Sequence, residues 1–388
     1  MLPRTYQRAV SPFERMWIAA HQACPQLVIE GQGIIDPVAF TRAVQQAAEK
    51  NPGSRLVLRG LGPWLSWRDS GEPPPVRVET SADWDGHSPD GADFLRDEQI
   101  DLRRGPTCNF TLIAAPVPRI VFRAHHGVMD GMGMIWFVRE VMSALRNEPP
   151  LGHPSTDTDL ELSRAMGGRA QPQQTNCGRL IEGPSENVLG VTWSRMTVAH
   201  AVKNPLARVL AFIARAAGRD GEEVLIDVPA DLRRDFPEVR STGNLTGSIR
   251  LSLRAGATPD EIASQIRTLT QDRRQADALV SSAYIRFLPI AIVRFFANQL
   301  RKRSVRTGKY APTAVIANIG RFEMEHFSGG GFRATSVFGI PPAFEGTPLM
   351  ITMSGGPDRV EMGARAPLAL ASNGRLDALL HAIASELE

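Results

Sequence analysis

A mixed α+β fold in two halves is the architecture this sequence predicts, on three observations. Helix-like and strand-like patterns interleave along all 388 residues, as expected of sheets covered by helices rather than of an all-α or all-β chain. The length suits two or three folding units of roughly 100 to 200 residues each. One stretch, from about Asn147 to Ser185, is rich in Pro, Gly, Gln, Thr and Asn and has little sustained periodicity, which marks a linker. The halves are accordingly taken as 1–165 and 166–388.

Ser11-Pro12 starts a helix in the apolar-rich stretch that reaches Ala23, and Gln26 to Gly31 reads as a strand burying Leu27, Val28 and Ile29. Asp36-Pro37 opens a second helix. Its apolar positions Val38, Phe40, Ala43, Val44, Ala47 and Ala48 follow the 3.6-residue period until Asn51-Pro52-Gly53 ends it. Arg55 to Arg59 and Trp64 to Arg68 are consecutive strands, and Val76 to Val78 a further one. Phe110 to Ala115 and Arg119 to Ala124 form a hairpin-like pair around Pro116 and Pro118. A helix follows from Asp130, loose at its glycine-rich start and well formed from Ile135. In the second half, strands are expected at Gly190–Thr197, Glu223–Val228, Gly247–Leu253, Thr313–Asn318, Arg333–Phe338, Leu349–Ser354 and Val360–Ala364. Helices are expected at Pro205–Ala217, from Thr258 through Thr270 and at Leu376–Leu387.

Composition excludes several functional classes. A hydrophobic share of 43% with 22% charged residues is that of a globular chain, neither disordered nor collagen-like. Lys and Arg number 44 against 41 Asp and Glu, a net +3; nothing demands a polyanion, and no nucleic-acid motif is present. Cys24, Cys108 and Cys177 are far apart and lack a CxxC pair, so neither a disulfide framework nor a cysteine zinc site is indicated and a reducing, cytoplasmic setting is expected. The opening residues lack the apolar core and cleavage site of a secretory signal. The most apolar stretch, Phe287 to Ala297, is interrupted by Pro289 and Arg294 and is shorter than the roughly 20 residues a span requires. Tyr284 to Arg303 is read as a core helix whose terminal cations favour its dipole, in preference to a peripheral membrane contact or an acyl-chain pocket.

Chemistry concentrates in His125-His126-Gly127-Val128-Met129-Asp130-Gly131. Neighbouring strand residues point to opposite faces, so one imidazole faces a given cavity while the other packs. The same geometry argues against a shared metal ion. With an unperturbed pKa of about 6.5, a neutral imidazole can take a proton near neutral pH. Asp130 can orient an imidazole or pair with an arginine and hold the turn. Taken as bare residues, a packed structural histidine explains the pair as readily as a catalytic one.

That segment resembles the HHxxxDG signature of the condensation-domain and acyltransferase superfamily, which includes chloramphenicol acetyltransferase, plant BAHD acyltransferases, wax ester synthases and peptide-synthetase condensation domains. Ser11 to Met16 resembles the opening of wax ester synthases, and Leu27 to Gly31 with the Asp36 helix resembles the family's first strand and helix. Asp227 to Arg233, Gly243-Asn244-Leu245 and Ala317 to Arg321 are similar to its second-half patterns. The chain looks nearest to wax ester synthase-like or freestanding condensation-type enzymes. Val337 to Pro341 keeps only Phe-Gly of the BAHD pattern Asp-Phe-Gly-Trp-Gly, and Asn318-Ile319-Gly320 is a reduced form of the wax ester synthase Asn-Val-Pro-Gly-Pro.

The resemblance implies two chloramphenicol acetyltransferase-like subdomains facing each other across a V-shaped cleft with a central tunnel. It implies acyl transfer from an acyl-CoA or acyl carrier protein thioester to a hydroxyl or amine of a small-molecule acceptor, with no metal and no permanently bound cofactor. The co-substrate would be acyl-CoA or a phosphopantetheine thioester, and His126 the general base, without an acyl-enzyme. His125, Asp130 and Gly131 would support the site, with Arg55 or Arg233 as the ionic partner of Asp130. Asn318 is either a donor to the oxyanion or substrate, or a turn-former. A freestanding enzyme condensing carrier-bound partners and a catalytically silent binding protein of the same fold are the rival readings.

Overall fold

The structure, a computed structural model, describes residues 6–20, 23–80, 83–95, 100–170, 180–181, 186, 188–199, 203–218, 223–356 and 358–388. Strand β1 (Gln7–Ala9) leads into helix α1 (Pro12–Ala19), where Ser11 and Glu14 cap reciprocally and Pro12 occupies the first turn. Strand β2 (Gln26–Gly33) precedes α2 (Pro37–Lys50), which Asp36 caps and which buries Phe40, Ala43, Val44, Ala47 and Ala48. Of the expected apolar stripe, Val38 alone is left exposed. Strands β3 (Leu56–Arg59) and β4 (Ser66–Asp69) pair antiparallel, and β1 joins β4 to close a small three-stranded sheet. After β5 (Val76–Glu79), β6 (Cys108–Ile113) and β7 (Arg119–Ala124) pair antiparallel as expected. They feed α3 (Gly131–Leu145).

Helix α4 (Asp159–Ala165) lies inside the stretch read as linker, a correction to that reading. It spans seven residues, too few to show a helical period, but its Thr158/Glu161 capping box fixes it. The linker's 171–179, 182–185 and 187 lie outside the described residues, as does Cys177. Strand β8 (Val191–Ala199), α5 (Pro205–Ala217), β9 (Glu223–Asp231), β10 (Thr246–Arg254) and α6 (Pro259–Gln271) follow the expected order. Then come α7 (Asp277–Ser281), α8 (Ile290–Thr307), β11 (Ala314–Arg321), β12 (Phe332–Ile340), β13 (Met350–Gly355), β14 (Arg359–Pro367), α9 (Leu368–Ala371) and α10 (Arg375–Ser385).

The two larger sheets are mixed. One runs β12-β2-β7-β6-β5, parallel only between β5 and β6; the other runs β10-β9-β11-β13-β14-β8, with β11 parallel to both neighbours. The first core is aromatic, with Phe110 packed against Phe40, Phe122 and Phe137. In the second, Val209, Leu210 and Ile213 of α5 and Leu380 and Ile383 of α10 share an aliphatic core with Ile226 and Leu251 of the six-stranded sheet. The halves share a strand: β12, from the second half, pairs antiparallel with β2 from Phe332 opposite Gly33 to Ile340 opposite Gln26. Buried charges reinforce this junction. Arg195 of β8 donates to Glu30 of β2 at 2.7 Å and to Glu361 of β14 at 3.0 Å, while Arg119 of β7 donates to Glu30 at 2.7 Å.

The reading of Tyr284 to Arg303 as a core helix is overturned. Only Ser304 and Val305 of α8 are buried; the helix meets α1 along one side, and Ile292, Phe295, Phe296 and Leu300 are exposed. Among the described residues no helix is long and apolar enough to cross a membrane.

Asp159 is fully buried and accepts hydrogen bonds from Ser11 Oγ at 3.1 Å and from Leu160 N at 2.7 Å. Burial and the neighbouring Glu14 carboxylate push its pKa up to about 8. The folded chain therefore holds a proton that the unfolded chain releases near pH 4, and this group's stability contribution is lost as pH rises toward 8. Asp159→Asn is expected to flatten the fall in melting temperature between pH 5 and pH 9, and melting curves at both pH values check it.

Candidate active site

The two histidines lie just past the last residue of β7, Ala124, with His126 already in the turn that follows. Their backbone is pinned on both sides: His125 N donates to Thr107 O at 2.9 Å and His126 N to Ala23 O at 2.7 Å. The His125 ring is buried, and its Nδ1 accepts from Gly127 N at 3.1 Å. Burial, aided by His126 and Arg123, lowers its pKa to about 3. His125 is a neutral packing residue.

His126 is half-buried. Its Nδ1 lies 3.1 Å from Met129 O. A carbonyl only accepts, so Nδ1 carries the proton and Nε2 is left with a lone pair. Burial holds its pKa below the usual histidine value, against the opposing pull of Met129 O and Asp130, so the ring is neutral near pH 7. The Trp17 ring lies over the imidazole at a centroid distance of 4.3 Å. Asn244 Nδ2 donates to His126 O at 2.7 Å. Residues from both halves thus hold the His126 ring and its loop in place.

What holds it is Asp130, which caps α3 through Gly133 N at 2.7 Å and is buried. Its Oδ2 also accepts from Arg233 Nη1 at 2.9 Å, Leu245 N at 2.7 Å and Thr246 Oγ1 at 3.0 Å, and Arg233 Nη2 reaches Oδ1 at 3.2 Å. Burial works against this carboxylate, yet Arg233 and the hydrogen bonds outweigh it and hold the pKa below the ordinary value. The guanidinium is satisfied on its remaining sides by Asp231, Ser241 O and Gly243 O. Of the two arginine candidates, the structure pairs Arg233 with Asp130; Arg55 instead bonds Asp69 at 2.5 Å.

The glycine-rich start of α3 is helical from Gly131, where looseness was expected. A Cβ on Gly133 would sit 2.2 Å from Thr242 O, so the bare backbone lets the 241–246 loop reach the helix end. At Gly131 a Cβ would meet only Ile319 Cγ2, at an ordinary 3.5 Å. Asn318 is exposed and its Oδ1 accepts from Gly320 N at 3.0 Å, a turn-forming position. Among the described residues no cluster of three or more His, Cys, Asp or Glu side chains is placed to hold a metal.

Two contributors carry no motif of their own. Asn244 belongs to the Gly243-Asn244-Leu245 pattern, which assigns it no role, and Trp17 lies in an ordinary apolar helix. The Trp17 Nε1–H is buried without a hydrogen-bond partner in the described structure. Phe344 meets the Trp17 ring edge-on at 5.9 Å and lines a cavity of about 60 Å³ with Ala19, Ala297, Arg301 and Glu345. A larger open pocket of about 720 Å³ lies beyond the C-terminal end of α3, lined by Arg146, Ser328, Arg333 and Arg359. Neither is lined by His126, so the tunnel implied by the resemblance is not found at these two cavities; on the α1 side, Trp17 covers the imidazole.

No protein-family profile and no curated protein sequence matches this chain. Its fold is nonetheless shared. The condensation domain of the Monacolin K polyketide synthase MokA superposes with a TM-score of 0.65 at 14% identity, over 98% of this chain and 96% of that one. The starter condensation domain of rhizomide synthetase RzmA, solved with C8-CoA and Leu-SNAC, gives 0.66 at 16% identity over 98% and 93%. The first condensation domain of the calcium-dependent antibiotic synthetase, with a substrate analogue, gives 0.67 at 14% over 98% and 95%. The chain has the condensation-domain fold.

Removing one partner of a buried ion pair strands the other charge. Arg233→Met is expected to cost about 3–5 kcal/mol of unfolding free energy, read from urea denaturation; a loss below 1 kcal/mol would contradict the account of Asp130 as the anchored group.

Proposed function

We propose that this protein is an acyltransferase, moving an acyl group from a thioester of coenzyme A or of an acyl carrier protein to a hydroxyl or amine. The observation that carries the proposal is the 3.1 Å separation of His126 Nδ1 from Met129 O: a carbonyl only accepts, so the proton belongs on Nδ1 and Nε2 is the base. The acceptor's O–H or N–H proton passes to Nε2 as its heteroatom attacks the thioester carbonyl. A carbon–oxygen or carbon–nitrogen bond forms, the tetrahedral intermediate collapses, and the carbon–sulfur bond breaks. His126 then returns the proton to the leaving thiolate, so no acyl-enzyme is needed. Trp17 fixes the ring plane, and Asn244 with the Asp130–Arg233 pair fixes the loop. The RzmA complex with C8-CoA supports a thioester donor by analogy of fold.

Amide formation from carrier-bound partners is the second reading, favoured by the condensation domains among the similar folds and by the Leu-SNAC held in one of them. Intact-mass assays that offer acyl-CoA and acyl carrier protein separately, each with alcohol and amine acceptors, distinguish the two.

His126→Ala is expected to lower turnover by at least about a hundredfold, the scale of general base catalysis, with an unchanged circular dichroism spectrum. Full activity in that variant would remove the mechanism. Because burial holds the His126 pKa below its ordinary value of about 6.5, protonation inactivates the base only at lower pH. The acidic limb of the kcat/KM profile should therefore have its midpoint below pH 6.5.

A further inference from the structure

Helix α8 shows an outward face that a globular interior does not explain. At 3.6 residues per turn, Ile292, Phe296 and Arg303 fall within about 40° of one another on the helix, with Phe295 and Arg306 on one flank and Leu300 on the other. The opposite side is tied to the protein: Arg294 donates to Ile18 O at 3.4 Å and Arg301 to Glu345 at 3.0 Å. The outward side chains are bare, with Phe295 56% and Phe296 64% exposed. Nearby, Arg15 joins the Gly62 and Leu288 carbonyls, at 2.7 and 3.4 Å. This brings Trp64, 81% exposed, and Phe287, 64% exposed, to the neighbourhood of the helix start.

Charge says what covers this face. From Ala278 to Gly308 the sequence contains no Asp or Glu, while it carries Arg286, Arg294, Arg301, Lys302, Arg303 and Arg306. Lys302, Arg303 and Arg306 are exposed at the C-terminal end of the helix, beyond the aromatic turns. Protruding Trp, Phe and Leu side chains beside a band of cations match an anionic bilayer surface, whose acyl boundary takes the rings and whose headgroups take the cations. A folded acidic partner would instead need cavities shaped to each protruding ring. We propose that this face docks on an anionic phospholipid membrane, with α8 lying in the interface plane. The small cavity on the inner side of the helix is lined by Ala297, Asn298, Arg301 and Phe344, and Phe344 meets the Trp17 ring that lies over the His126 imidazole.

The test is co-sedimentation of the full chain with vesicles of phosphatidylcholine alone and of phosphatidylcholine with an equal part of phosphatidylglycerol. Binding to the anionic vesicles, weakened by salt, is expected. Phe295→Ser with Phe296→Ser should cut partitioning by about tenfold or more. Lys302→Gln and Arg303→Gln should each cut it about fivefold on anionic vesicles alone, and their unchanged melting temperatures exclude misfolding as the cause. The proposal is overturned by a wild-type chain that pellets with neither vesicle, or by variants that bind as the wild type does. It is equally overturned if the face captures an acyl carrier protein, or a second copy of this chain in size-exclusion chromatography, in place of lipid. None of these readouts depends on turnover, so failure here leaves the acyl-transfer reading standing.

Discussion

A single buried carboxylate organises the place where the two halves meet. Asp130 accepts the first-turn amide of α3 from its own half and, from the other half, the Arg233 guanidinium, the Leu245 amide and the Thr246 hydroxyl. Taking such a charge out of water is costly unless every lone pair is used, and here they are. The ion pair therefore acts chiefly as a locator. It sets the distance between the motif loop and the 241–246 loop, and the Asn244 bond to His126 O becomes possible only at that distance. Gly133 completes the fit by omitting the one atom that would keep the loops apart.

The adjacent histidines show how the same side chain takes opposite roles through its surroundings. His125 is an acceptor at Nδ1 toward Gly127 N, while His126 is a donor at Nδ1 toward Met129 O. The first arrangement turns the ring into a turn-closing acceptor inside the core. The second leaves the far nitrogen of a half-buried ring without a proton. Both rings lie past the end of β7, and local carbonyls and amides choose their tautomers.

Much of the fold was legible because its signals are local. Pro205–Ala217 was read to the residue as α5, since a proline at the start and a 3.6-residue apolar pattern both lie within the segment. His126 and Asp130 were legible through a compact motif. Arg233 could not be separated from Arg55, because the choice depends on which side chain the folded loop brings to Asp130, and Trp17 and Asn244 act through contacts with residues far away in sequence. The exposure of α8 was misread for a related reason: periodicity reports that a helix has an apolar side, not whether anything lies against it.

Strand β12 has a consequence for how the chain reaches its native state. Its partner β2 lies near the beginning of the sequence, and Val28 waits for Phe338. During synthesis the first sheet has Leu27, Val28 and Ile29 along an open border until β12 has emerged, and an open border of that kind invites pairing with other nascent chains. The halves are therefore not independent units of assembly, even though each has its own core.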